Sequence, residues 1–115
     1  MEKYHPDQIH MWDGWMLNDN GRLHLFHLQV PAEGCTLPED EANAVGHAVS
    51  DDGLHWTSQP CILRPLYDDT RPMDFYPRYT GCVVKRDEVC YVFYTMREKD
   101  TINQRIGVAT STDMV

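Results

Sequence analysis

The groups able to do chemistry in this chain are imidazoles, thiols and carboxylates, and their spacing limits what each could serve. The six histidines, His5, His10, His24, His27, His47 and His55, form no HExxH or HxH pattern, so no zinc-hydrolase motif is present. His24 and His27 stand three apart, which on a strand sends them to opposite faces; they read as ordinary strand residues. The four cysteines, Cys35, Cys61, Cys82 and Cys90, are spaced 26, 21 and 8 apart, unlike the close pairs of zinc sites. Cys82 and Cys90 could pair if they lie on adjacent strands. Otherwise all four read as small, partly buried thiols of a reducing cytoplasm. No metal and no other cofactor is expected. Among the carboxylates, Asp13 stands between Trp12 and Trp15. By residue type alone it reads as a strand-end or turn carboxylate bonded to backbone N–H groups.

Such residues act only where the elements place them, and here the elements are strands. No stretch of eleven residues carries an i, i+3, i+4, i+7 apolar stripe, so helical periodicity is nearly absent. Short apolar or alternating runs recur instead, separated by turn residues. Strands are expected at Trp12–Leu17, Arg22–Gln29, Ala44–Ser50 and Leu54–Thr57, then at Tyr79–Val84, Glu88–Met96 and Arg105–Thr110. The turns are Asn18–Gly21, Asp51–Gly53, Lys85–Asp87 and Ser111–Asp113. Asn, Asp and Gly accept positive φ there at low cost.

The two groups of strands are copies. A shift of 67 lays Trp12-Asp13-Gly14 on Tyr79-Thr80-Gly81, Leu25 on Val92 and Phe26 on Phe93. Past a shortened loop, a shift of 61 lays Gly46 on Gly107, Ala48 on Ala109 and Ser50 on Ser111. Strand, tight turn, strand, loop, strand, tight turn, short strand describes one blade of a β-propeller. Two unrelated meanders in a sandwich are the alternative. The expected fold is all-β, with two antiparallel β-propeller-type blades of four strands each, over residues 1–65 and 66–115. The second copy ends before any equivalent of His55-Trp56, so its outermost strand is expected to be missing.

Composition narrows the partners. The 115 residues carry 10 Lys+Arg against 18 Asp+Glu, a formal charge of −8. A negative surface repels phosphate backbones, so nucleic acid is not expected as a ligand. No apolar run approaches the roughly 20 residues of a membrane-spanning helix, and the opening MEKYHPDQIH has no apolar core of a secretory signal. A cytoplasmic location is therefore expected, without excluding a secreted mature form. Two blades are too few to close a ring, which suggests either the front end of a larger protein or a subunit completed by association.

Four segments in order carry a family resemblance. VGHAVSDDGLHW resembles the GHAxSxDLxHW segment of the five-bladed β-propeller glycoside hydrolases of families 32, 43 and 68. YTGCVV followed by YVFYTM, and QRIGVATSTD, are similar to two further family segments. MWDGWML followed by GRLHLFHLQVP resembles the opening blade, where a catalytic aspartate precedes an aromatic strand. Together these segments span about Met11 to Val115.

The resemblance implies a carbohydrate ligand and a reaction needing carboxylates on both sides of a C–O bond. It places the first-blade nucleophile or base at Asp13. It places sugar-contacting positions at Trp12 and Trp15, whose ring faces could stack on sugar C–H surfaces, and at Thr80 and Gly81. The stabilising aspartate of an RDP-like motif and the acid glutamate lie on later blades and have no counterpart here. Asp74 follows Arg71-Pro72 in the wrong order for that motif. Either tryptophan could instead pack between blades. Trp56, His47 and His55 read as scaffold, and Arg71 and Arg78 as possible neighbours of the pocket or as surface. The expected activity is that of a glycosidase-like fragment, inactive alone; the alternative is a non-catalytic sugar-binding or self-assembling module. Alternation predicts Asp13 and Trp15 on one face. Self-association is expected through exposed apolar faces carrying Leu25, Val45, Val83, Val92, Phe93 and Ile106.

Overall fold

The computed structural model describes residues 3–38, 41–64, 77–97 and 102–114. Among them are seven strands and no helix. The first sheet has the order β1 (Ile9–Asp19), β2 (Arg22–Pro31), β3 (Val45–Ser50) and β4 (Thr57–Ile62), and the second has β5 (Pro77–Arg86), β6 (Val89–Arg97) and β7 (Gln104–Ser111). All neighbours are antiparallel. These are two blades of the propeller type, the second with three strands.

The repeat holds at the level of register. In the first sheet Trp12 faces Leu28 and Trp15 faces Phe26, an extra residue on β1 that makes a β-bulge. In the second sheet Tyr79 faces Thr95 and Cys82 faces Phe93, the same bulge 67 residues on. Asn20 and Asp87 both take positive φ at the hairpin turns, 53° and 55°. The Ser50 hydroxyl donates to Asp52 at 3.1 Å and accepts from the Gly53 N–H at 2.8 Å. Ser111 repeats this with Asp113 at 2.7 Å and the Met114 N–H at 2.9 Å.

Cross-strand rows define two faces per sheet. On the front of the first sheet lie the rows Trp12–Leu28–Val45 and Trp15–Phe26–His47, and on its back the row Met16–Leu25–Ala48. The equivalent rows of the second sheet are Tyr79–Thr95–Ile106 and Cys82–Phe93–Val108 in front and Val83–Val92–Ala109 behind. The first sheet's front forms the core of Trp15, Phe26, Leu28 and Val45, and Val83 packs against it from the second sheet's back. The blades therefore stack front to back, touching along β1 and β5. At the edge of this contact the Lys85 ammonium donates to Asp19 at 2.7 Å, which raises its pKa above the ordinary lysine value. Farther out the sheets part, leaving an apolar cleft of about 480 Å³.

Two rings lie over glycines. A Cβ on Gly46 would clash with the His27 ring and with Gln29 Oε1, and one on Gly107 would meet Tyr94 at 2.6 Å. His27 and Tyr94 occupy equivalent positions, as do their glycines. The ring covers a gap in the neighbouring strand, a device that pins register. His27 is also covered by Tyr4, with ring centroids 6.1 Å apart. Tyr4 in turn reaches Trp56 and donates or accepts at Ser58 Oγ, 2.8 Å away. The N-terminal segment thus lies against the first sheet's back.

Some expectations are corrected. The fourth strand begins at Thr57 instead of Leu54. The Asp52 carboxylate accepts from the Leu54 and His55 N–H groups at 2.8 Å each and pairs with His55 Nδ1 at 2.6 Å. These bonds hold residues 51–55 in a bend and keep the Asp52 carboxyl well below the usual carboxylate range. Cys82 faces Phe93 and Cys90 faces Lys85, so these two thiols do not pair, and no disulfide joins any of the four cysteines. Val45 and Val92 are buried between the blades, not exposed on outer faces, and Leu25 and Val83 are partly buried. The front-to-back stacking that the sheets adopt covers Val45, Val83 and Val92, whereas Leu25 lies on the first sheet's back.

Two stability outcomes follow. Gly46→Ala should cost more than Gly107→Ala, about 2–3 against about 1 kcal/mol in denaturant unfolding, because His27 is fully buried whereas Tyr94 can give way. The second concerns pH. His24 Nδ1 and His47 Nε2 are 3.0 Å apart, and both rings stack near Phe26. Burial, then the charges of His24 and His27, pushes His47 down to about 4; burial lowers His24 and His27 too. The fold thus favours neutral rings. Their contribution is complete above the unfolded value near 6.5 and is lost as pH falls toward 4, on the order of 3 kcal/mol for His47. Thermal midpoints should be flat above pH 7 and decline below pH 6.

Candidate functional site

Asp13 sits on the bulge of β1, and the bulge decides what it can do. The extra residue brings Trp12 and Trp15 onto the same face, although three residues apart, and leaves Asp13 and Gly14 between them. Asp13 takes φ of 48° and is exposed. A carboxylate-bearing residue tolerates this left-handed conformation better than a β-branched one. Among the described residues no hydrogen bond or ion pair occupies the Asp13 carboxylate, so the side chain is presented to solvent on an innermost strand.

The alternation expected of a regular strand fails at this point. Trp15 does not share the open side with Asp13. It is buried, its ring centroid 6.2 Å from that of Phe26. Its indole Nε1–H is enclosed without an acceptor among the described residues. A Cβ built on Gly81 would lie 3.2 Å from the Trp15 ring and against the Phe93 carbonyl. Gly81 thus lets β5 approach β1 closely, and Trp15 fills the space between blades. Thr80, the equivalent of Asp13, is exposed on the second bulge.

Trp12 has a different setting. It is 43 % exposed and lines a cleft of about 270 Å³ together with Leu28, Gln29, Val30, Asn43, Tyr79 and Arg97. The cleft residues Trp12 and Tyr79 directly precede Asp13 and Thr80 in sequence, but neither Asp13 nor Thr80 lines the cleft. Two aromatic rings from equivalent positions, two amide residues (Gln29 and Asn43) and one guanidinium border it, and no carboxylate does among the described residues. Aromatic faces with a few polar groups suit a sugar ring. Tyr79, Asn43 and Arg97 were not singled out from the sequence. Tyr79 was accessible as the repeat partner of Trp12; Asn43 and Arg97 come from loop and strand ends with no motif. Arg71 and Asp74 lie outside the described residues, and Arg78 lies within β5. No group of three or more His, Cys, Asp or Glu side chains able to hold a metal occurs among the described residues.

The backbone geometry separates the fold requirement at Asp13 from the chemical one. Asp13→Asn keeps a residue that accepts positive φ and should leave the thermal midpoint nearly unchanged. Asp13→Val forces a β-branched residue into that conformation and should cost about 1–2 kcal/mol by denaturant unfolding.

Comparison with known proteins agrees with this architecture. Solved structures with the same fold include a Bacteroides ovatus protein provisionally described as a glycoside hydrolase, with a TM-score of 0.65 and 21 % identity over 90 % of this chain and 28 % of that one. A glycosyl hydrolase from Bacteroides ovatus gives 0.62 and 20 % identity over 89 % and 28 %. The Bombyx mori beta-fructofuranosidase gives 0.58 and 22 % identity over 94 % and 23 %. The chain thus spans less than a third of the length of these structures. The model of the glycosyl hydrolases family 32 N-terminal domain matches residues 7–114, nearly the whole sequence, and the chain belongs to that family.

Proposed function

We propose that this chain is the nucleophile-bearing part of a family 32 propeller, which holds a carbohydrate beside Asp13 and does not hydrolyse it unaided. One observation carries the reading: the β1 bulge presents the Asp13 carboxylate, unengaged by described neighbours, one residue on from Trp12, which with Tyr79 walls a cleft. The Bombyx mori relative is a beta-fructofuranosidase, which makes β-fructofuranosides the first ligands to examine.

Glycoside cleavage needs two carboxyl groups. One attacks the anomeric carbon or activates water, and the other protonates the departing oxygen. Asp13 is suited to the first task by its exposure and its place on the inner strand. No Asp or Glu among the described lining residues stands ready for the second. Without protonation the leaving alkoxide is too basic to depart at a useful rate. Binding therefore does not lead to turnover in the lone chain. Trp12 and Tyr79 supply ring faces, and Asn43 supplies an amide able to donate and accept with sugar hydroxyls. Trp15, buried between blades, contributes by holding β1 against β5 instead of touching the ligand.

Titration with fructose, sucrose and short fructans, followed by tryptophan emission, tests this. Saturable quenching in the millimolar range, lost in Trp12→Ala, is expected, with no released fructose. Unchanged emission up to high millimolar sugar would contradict binding. Turnover abolished by Asp13→Asn would show that a second carboxyl is supplied after all.

A further inference from the structure

Gln29 borders the cleft of Trp12 and Tyr79, yet it is 7 % exposed and its amide is engaged inside the protein. Its Nε2 donates to the Glu41 carbonyl at 3.0 Å and to Cys61 Sγ at 3.3 Å. Both hydrogens of the amide are thereby used. Its Oε1 packs against Gly46. A ligand in the cleft would find no donor on Gln29.

What the amide holds is the segment between β2 and β3. The Glu41 carbonyl accepts a second bond, from the Ala44 N–H at 3.2 Å, and the Glu41 and Ala42 N–H groups donate to the Pro38 carbonyl at 2.9 and 3.0 Å. Two residues beyond Asn43, Val45 is fixed in β3 between Leu28 and Ile62. Asn43 thus stands between two anchored points, and the first of them is held from the core by Gln29. The Arg64–Glu41 pair at 3.2 Å is partly exposed and adds little, as surface pairs do. Asn43 itself is exposed in the cleft, and among the described residues no hydrogen bond or ion pair takes up its side-chain amide.

We propose that Gln29 is a positioning residue of the cleft: by holding the Glu41 carbonyl it sets the Asn43 amide beside Trp12 and Tyr79, where that amide meets the hydroxyls of a sugar. The inference rests on the reading of this cleft as the carbohydrate site. Ring faces grip the C–H surface of a sugar and are indifferent to its hydroxyls. A primary amide offers a donor and an acceptor side by side. It adds affinity chiefly when its position is fixed before the ligand arrives, because the ordering cost is then already met.

Gln29→Met keeps the length of the side chain and removes both donors. The first measurement needs no sugar: heteronuclear NOE at Asn43 and hydrogen exchange at the Ala44 amide, on the full chain. The variant should lower the Asn43 NOE and speed Ala44 exchange about tenfold, while the Phe26 amide stays protected. Gln29→Asn, one methylene too short to reach both Glu41 and Cys61, should act alike. Unchanged Asn43 and Ala44 signals would overturn the positioning role. The second measurement is fructose titration by tryptophan emission. Gln29→Met and Asn43→Ala should each weaken binding about five- to tenfold, and the double variant should bind no more weakly than Asn43→Ala alone. Additive losses would overturn the proposal, since Gln29 would then act by a route other than Asn43. A parent chain without Trp12-dependent quenching would instead refute the carbohydrate reading of the cleft, and the first measurement would still decide whether Gln29 places Asn43.

Discussion

One extra residue in an inner strand governs the arrangement of this protein. Without the bulge between Trp12 and Trp15, strict alternation would put the two tryptophans on opposite faces. With it, both belong to the front of the first sheet, beside Leu28 and Phe26. Trp15 becomes the side chain on which the second blade rests, and Asp13 is turned out to solvent with positive φ. The same inserted residue recurs at Thr80-Gly81, where the missing Cβ lets β5 come within contact of Trp15. Bulges bend and twist a strand. Here, the two bulges shape the neighbouring inner strands at the point where the blades meet.

The remaining structure serves that contact. The Asp19–Lys85 pair ties the hairpin ends of the two inner strands. Behind the front face, His27 over Gly46 and Tyr94 over Gly107 hold β3 and β7 in register. The histidine stack of His24 and His47 extends the core of the first blade with rings that the fold keeps neutral. Polar side chains in such a core impose a direction on it that an aliphatic set would not, at the cost of sensitivity to acid.

Much of this was legible in the residues because the signals were local and repeated. The hairpin turns at Asn20 and Asp87, the Ser50 and Ser111 motifs and the paired glycines each appear twice, at an offset of 67 before the shortened loop and 61 after it. Among the described residues the second sheet has three strands, β5, β6 and β7. Three features were not legible. The bulge has no sequence signature beyond an Asp-Gly, and it reversed the predicted face of Trp15. The start of β4 depended on Asp52 outcompeting the strand for the Leu54 and His55 N–H groups. The cleft partners Asn43 and Arg97 come from segments distant in sequence, and single-chain spacing does not encode their meeting. The family itself was readable from four ordered segments, and the match over residues 7–114 establishes it.

The placement of Trp15 is the central claim, since a regular β1 would move it to the opposite face and remove the support for the second blade. Two-dimensional NMR on the full chain measures it directly, through nuclear Overhauser contacts of the Trp15 indole. The bulged register predicts cross-peaks from that ring to Phe26 and to the Gly81 α-protons, with the Trp12 backbone opposite Leu28. Contacts from the Trp15 ring to Met16-side residues such as Leu25 and Ala48, with none to Gly81, would contradict the account.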